Sequence, residues 1–151
     1  MTDLKAQLAQ QLNEAQAKYT YFLLAAAASC MALAVQRTSG TALTSHHFPL
    51  GLAMLSWGVS FGAGCYNRAY FSSTLYANIA FLQLEDGSHP ERPSHPALVS
   101  AAMEGVMKAA KENSSAANRW GKWQFRLLIV GAVLFLAWHV LEMVHTGAAA
   151  K

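Results

Sequence analysis

Apolar residues fall along the chain in three long runs, 19–36, 49–66 and 123–145. Each run is extended on one side by a segment in which apolar positions keep a helical period and polar residues fill the remainder. In 1–18, Leu4, Leu8, Leu12 and Ala15 lead at steps of three and four into Tyr19 and Phe22 without a Gly or Pro between them. One helix is therefore predicted to begin in water and end in lipid, with its stripe free to join a stem of extensions. A polar loop, 37–48, carries Gly40, which ends that helix, and Pro49 stands where the next one begins. Over 67–86, Phe71, Leu75, Ile79 and Leu82 hold the period among Arg68, Ser72, Ser73, Asn78 and Gln83. The segment 87–96 contains Gly87 and three prolines, which no helix interior accommodates, and is predicted to turn. Helix resumes over 97–122 with Ala102, Ala109, Ala110, Ala116 and Ala117 on a stripe that admits a close partner. Residues 146–151 read as an outer tail too short to fold.

The pattern predicts an all-α integral membrane protein: one domain of three transmembrane helices with cytoplasmic helical extensions folded into an antiparallel stem. Composition agrees, since 54% of residues are hydrophobic and only 13% are charged, a balance uncommon in water-soluble domains. The first apolar run reads as a retained helix, because its leader is long and mixed in charge and no small-x-small cleavage site followed by a soluble mature sequence appears. Lys5, Lys18, Arg68, Arg92, Lys108, Lys111, Arg119, Lys122 and Arg126 fall on one side of the three spans, against Arg37 and Lys151 on the other. By the positive-inside rule the N-terminus is cytoplasmic and the C-terminus outside, in a bacterial-type inner (plasma) membrane. The same rule accounts for the basic pI of about 9.0. With a net charge of +3 and no run of basic residues, no nucleic-acid partner is expected.

Candidate chemistry is sparse. Gly58 and Gly62 form a GxxxG pair in the second span, which clears one helix face for a neighbour. Ser56 and Ser60 are the mildly polar stripe available to line a pore if copies assemble. Arg68, Arg119, Lys122 and Arg126, interleaved with Trp120 and Trp123, mark the cytoplasmic membrane face and are candidates for anion or lipid binding. His139, Glu142 and His145, spaced by three, are the nearest approach to a metal-donor set, with His46 in the outer loop; no HxxxH or CxxC supports them, and no metal or cofactor is expected. His89 and His95 repeat within Ser-His-Pro in the predicted turn and read as parts of a solvated loop. Cys30 and Cys65 are read as small buried packing residues. Catalytic motifs of the GxSxG, HExxH and P-loop kinds are missing from the sequence, so no enzyme is expected. No charged residue lies near a span midplane, which argues against a proton pump or voltage sensor.

The layout of spans joined to cytoplasmic helical stems is similar to that of small bacterial membrane effectors that oligomerise and perturb the membrane. The leading expectation is a homo-oligomeric membrane protein that forms or regulates a pore in response to a cytoplasmic protein or small molecule. The alternative is a non-enzymatic anchor or accessory subunit of a larger membrane complex.

Overall fold

The computed structural model of the protein describes residues 2–38 and 47–149. It is built of α1 (Thr2–Thr38), α2 (Phe48–Asp86) and α3 (Pro96–Ala149), with no strand among the described residues. The helices hold 37, 39 and 54 residues, so at 1.5 Å per residue even the shortest runs about 55 Å, well beyond a ~30 Å hydrocarbon core. By length and composition, helical stretches within Gln10–Thr38, Phe48–Asp86 and Pro96–His145 can each cross a membrane. The protein thus has the make-up of a multi-pass membrane protein. Its outward surface agrees, since Phe22, Leu33, Val35, Leu55, Val59, Val133, Leu136 and Val140 are all exposed, an apolar surface suited to lipid.

Two boundaries depart from expectation. Helix α3 continues to Ala149 where a tail over 146–151 was expected, because alanine is the strongest helix former and a single glycine does not stop it. The turn is narrower than 87–96: α2 ends at Asp86, Gly87 takes a positive φ of 86°, and Pro96 opens α3 in the helix position that proline favours. The expected helix stop at Gly40 lies outside the described residues.

The chain divides into two compact units, 1–64 with 121–151, and 65–120. In the first, α1 contributes Thr20, Leu23, Ala27 and Ala34 to the buried side, and Ala34 joins Leu50, Ala53 and Trp57 of α2 and Trp138 of α3 in one apolar cluster. Cys30, Met31, Met54, Leu128, Leu134 and Phe135 pack against it. The rings of Trp57 and Phe135 lie 5.7 Å apart, and those of Phe135 and Trp138 5.6 Å apart, both pairs tilted, a spacing that aromatic pairs favour.

The buried side of α1 is not the stripe that the sequence pattern picked out. Leu8 and Leu12 are 56% and 59% exposed, and Tyr19 and Phe22 also face outward. The contact face lies one position along, at Thr20 and Leu23, and is marked by small residues. For Tyr19 and Phe22, within the apolar run, lipid makes the outside as good a place as the inside, and small side chains decide where backbones approach.

The second unit is a helical hairpin. The α2 arm from Cys65 and the α3 arm to Trp120 run antiparallel about the turn at Gly87 to His95, with Leu84, Ala110 and Ala117 buried. At its open end the Asn67 amide donates to the Ala117 carbonyl at 2.6 Å, and Tyr66 stacks on Trp120 with centroids 5.1 Å apart.

Candidate helix-packing site

The chemistry this fold displays most clearly is donation from α2 side chains to α3 main-chain carbonyls. In the first unit the Ser56 hydroxyl donates to the Leu127 carbonyl at 2.8 Å, the Trp57 indole N–H to that of Leu128 at 3.2 Å, and the Ser60 hydroxyl to that of Gln124 at 2.7 Å. Steps of three and four along α2 place these donors on one side of the helix. A helical carbonyl has a second lone pair after its own helix bond, so each acceptor is satisfied twice. The Gln124 side chain, 1% exposed, extends the seam to the third helix by donating to the Thr20 carbonyl at 3.5 Å, while the Thr20 hydroxyl donates to Gln16 O at 3.0 Å.

Two glycines make this approach possible. A Cβ on Gly64 would stand 2.5 Å from Gln124 Nε2 and 2.7 Å from Leu24 Cδ2, and one on Gly131 would enter the Trp57 indole, 2.6 Å from its Cδ1. Both positions are buried. The GxxxG pair behaves differently: Gly58 is exposed and Gly62 half-buried, and a Cβ at either meets nothing within 4 Å. Within the protomer, close packing is thus carried by Gly64 and Gly131, while the Gly58/Gly62 face stands open.

Ser56 and Ser60 are buried and their hydroxyls are committed to α3, so in this protomer they line no open surface. Arg68 belongs to the hairpin, half-buried, with its guanidinium 5.1 Å from the Phe71 ring. Arg119, in the same unit, is exposed; Lys122 and Arg126, in the first unit, are also exposed, and Arg126 lies 5.9 Å from the Trp123 ring. His139 and His145 are exposed and Glu142 half-buried. Among the described residues no three His, Cys, Asp or Glu side chains gather as a metal site; His46 lies outside them. Cys30 is half-buried, but Cys65 is exposed on α2 rather than buried as expected, since Gly64 beside it takes the contact with Gln124.

Gln124, Thr20 and Gly131 escaped the reading of the sequence. Gln124 carried a usable signal: an amide between Trp123 and Phe125 at the head of an apolar run is costly against lipid and therefore has to face a partner helix.

Ser60→Ala is expected to destabilise the three-helix unit by only about 0.6–1.7 kcal/mol, because the Gln124 carbonyl keeps its own helix bond and no orphan is left. Thermal unfolding in detergent, followed by far-UV circular dichroism, reads this as a small downward shift.

Comparison of the chain with protein-family models, with curated proteins and with solved structures gives no match.

Proposed function

We propose that this chain is a non-catalytic, multi-pass membrane protein that assembles with copies of itself through the open Gly58/Gly62 face of α2. The observation that carries the reading is that pair of glycines with nothing within 4 Å of their missing side chains, on a helix whose opposite side is already filled by Ser56, Trp57 and Ser60. Helices associate in lipid where small residues let backbones approach, and a second copy brings the same cleared face. The hairpin 65–120 is then the cytoplasmic part that meets a protein or small-molecule cue. The cation distribution supports an inner (plasma) membrane orientation with the N-terminus inside. The mass of the nanodisc-embedded protein, measured by light scattering and corrected for lipid, tests assembly. A defined multiple of the 16.3 kDa chain is expected, and a single chain would overturn the proposal.

The assembly forms or regulates a pore in the first version of this reading. The serine hydroxyls, spent on α3 carbonyls, favour a second version, a non-enzymatic anchor or accessory subunit that offers the glycine face to a different membrane protein. Planar-bilayer recording and pull-down separate them. A pore gives conductance and retrieves mainly itself, whereas a subunit gives none and retrieves a stoichiometric partner.

A further inference from the structure

The tip of the hairpin holds two copies of one small device. In Ser88-His89-Pro90 and again in Ser94-His95-Pro96, the proline after the histidine has no N–H, so the first main-chain donor beyond each ring belongs to the residue two positions on. Each ring meets that donor. His89 Nδ1 accepts from the Glu91 N–H at 3.1 Å, and His95 Nδ1 accepts from the Ala97 N–H at 3.3 Å. The main chain of each histidine adds to the turn: His89 O accepts from the Arg92 N–H at 3.1 Å, and His95 O from the N–H groups of Leu98 and Val99 at 3.0 and 3.2 Å. His95 is therefore the N-cap of α3, with Pro96 in the first helical position and a ring nitrogen on the N–H of the second.

An imidazole can accept at Nδ1 only while it is neutral and carries its proton on Nε2; protonation turns Nδ1 into a donor facing another donor. At His95 the new charge would also stand at the positive end of the α3 dipole. At His89, just beyond the end of α2, the dipole has the opposite sign and partly offsets the loss.

We propose that the hairpin tip is a proton-sensitive latch, in which neutral His95 caps α3 and neutral His89 closes the turn, and acidification weakens the cap more than the turn. The ionisable groups around them are Glu85 and Asp86 on α2 and Glu91 and Arg92 in the turn; the first on α3 is Glu104, more than two turns along. The Asp86 carboxylate is already engaged by the Ser88 hydroxyl and N–H at 2.6 and 2.9 Å. Those bonds, with Arg92 nearby, hold its pKa below the usual carboxylate value. Asp86 therefore stays charged through the window in which imidazoles titrate, and its contribution to the turn is lost only at a lower pH, as the carboxylate itself protonates.

Amide hydrogen exchange on the full chain in nanodiscs, at about pH 7.5 and about pH 5.5 on either side of ordinary imidazole titration, tests the latch. Rates are divided by those of an unstructured chain at the same pH. Protection of Ala97, Leu98 and Val99 is expected to fall about fivefold on acidification, the usual worth of an N-cap side chain, and that of Glu91 to fall less. His95→Asn keeps a capping acceptor that does not titrate, and should hold the α3 amides within about twofold across the two conditions. His89→Asn should flatten the response at Glu91 alone. Equal protection of wild-type amides at both pH values overturns the proposal, as does an undiminished fall in His95→Asn. The imidazole nitrogen shifts give an independent reading, because a protonated Nδ1 at the higher pH would contradict the capping geometry directly.

Discussion

Gly131→Leu is expected to cost the three-helix unit several kcal/mol and to abolish its cooperative unfolding at the wild-type temperature. A Cβ at this position enters the Trp57 indole, 2.6 Å from Cδ1 and 2.9 Å from Cε2. The ring has little room to retreat, being 2% exposed, hydrogen-bonded to Leu128 O at 3.2 Å and packed on Phe135. Overfilling a packed core by one methyl typically costs about 1–3 kcal/mol, loss of the indole hydrogen bond adds about 0.5–1.5 kcal/mol, and leucine's further carbons deepen the clash. Gly64→Leu follows in the same direction but less steeply. Its nearest neighbours are the ends of two longer side chains, Gln124 Nε2 and Leu24 Cδ2, which can swing away at the expense of the bond to Thr20. Thermal unfolding in detergent should rank Gly131→Leu below Gly64→Leu below wild type. Trp57→Leu should recover part of the loss in the Gly131→Leu background, since it removes the ring that the new side chain strikes.

Gly58→Leu with Gly62→Leu is expected to do the reverse. It should bring the nanodisc mass down to one 16.3 kDa chain while leaving the protomer as stable as before or more so. A Cβ at either position meets nothing within 4 Å, and glycine in a helix interior is about 1 kcal/mol poorer than a good helix former. A second copy seated on the same face would be displaced outright by two leucines. An unchanged mass, with the protomer intact, would place the assembly contact elsewhere, and a fall in protomer stability would mean that the face is not open.

What the sequence made legible was the arrangement along the chain. Three apolar runs, Pro49, and the glycine and prolines of the hairpin turn were enough to place three helices, because helix breakers and long apolar runs act locally. Lateral packing was less legible. The stripe through Leu8, Leu12, Tyr19 and Phe22 has the period that marks a buried face in a water-soluble protein, yet it faces outward. For Tyr19 and Phe22, within the apolar run, lipid removes the penalty that would force them inward, so periodicity reports a helix without saying which side meets its neighbours. The glycines illustrate the same gap. GxxxG spacing singled out Gly58 and Gly62, but Gly64 and Gly131 meet the bulky side chains Gln124 and Trp57, and those pairings depend on the register of α2 against α3, which no spacing within one helix encodes. Gln124 lay between, since its cost in lipid was readable and its partner on α1 was not. The paired Ser-His-Pro segments were visible as a repeat; that each ring caps a backbone N–H depends on the folded turn.

The proposed topology has three crossings of the bilayer, with the N-terminus and the hairpin tip on one side and the end of α3 on the other. Single cysteines at Gln7, Ser88 and His145, in a chain whose Cys30 and Cys65 are replaced by alanine, can be labelled in sealed, oriented membrane vesicles with an impermeant maleimide. Gln7→Cys and Ser88→Cys are expected to react from the same, cytoplasmic side, and His145→Cys only from the other. Labelling of Ser88→Cys and His145→Cys from one side, or of all three from one side, would contradict it.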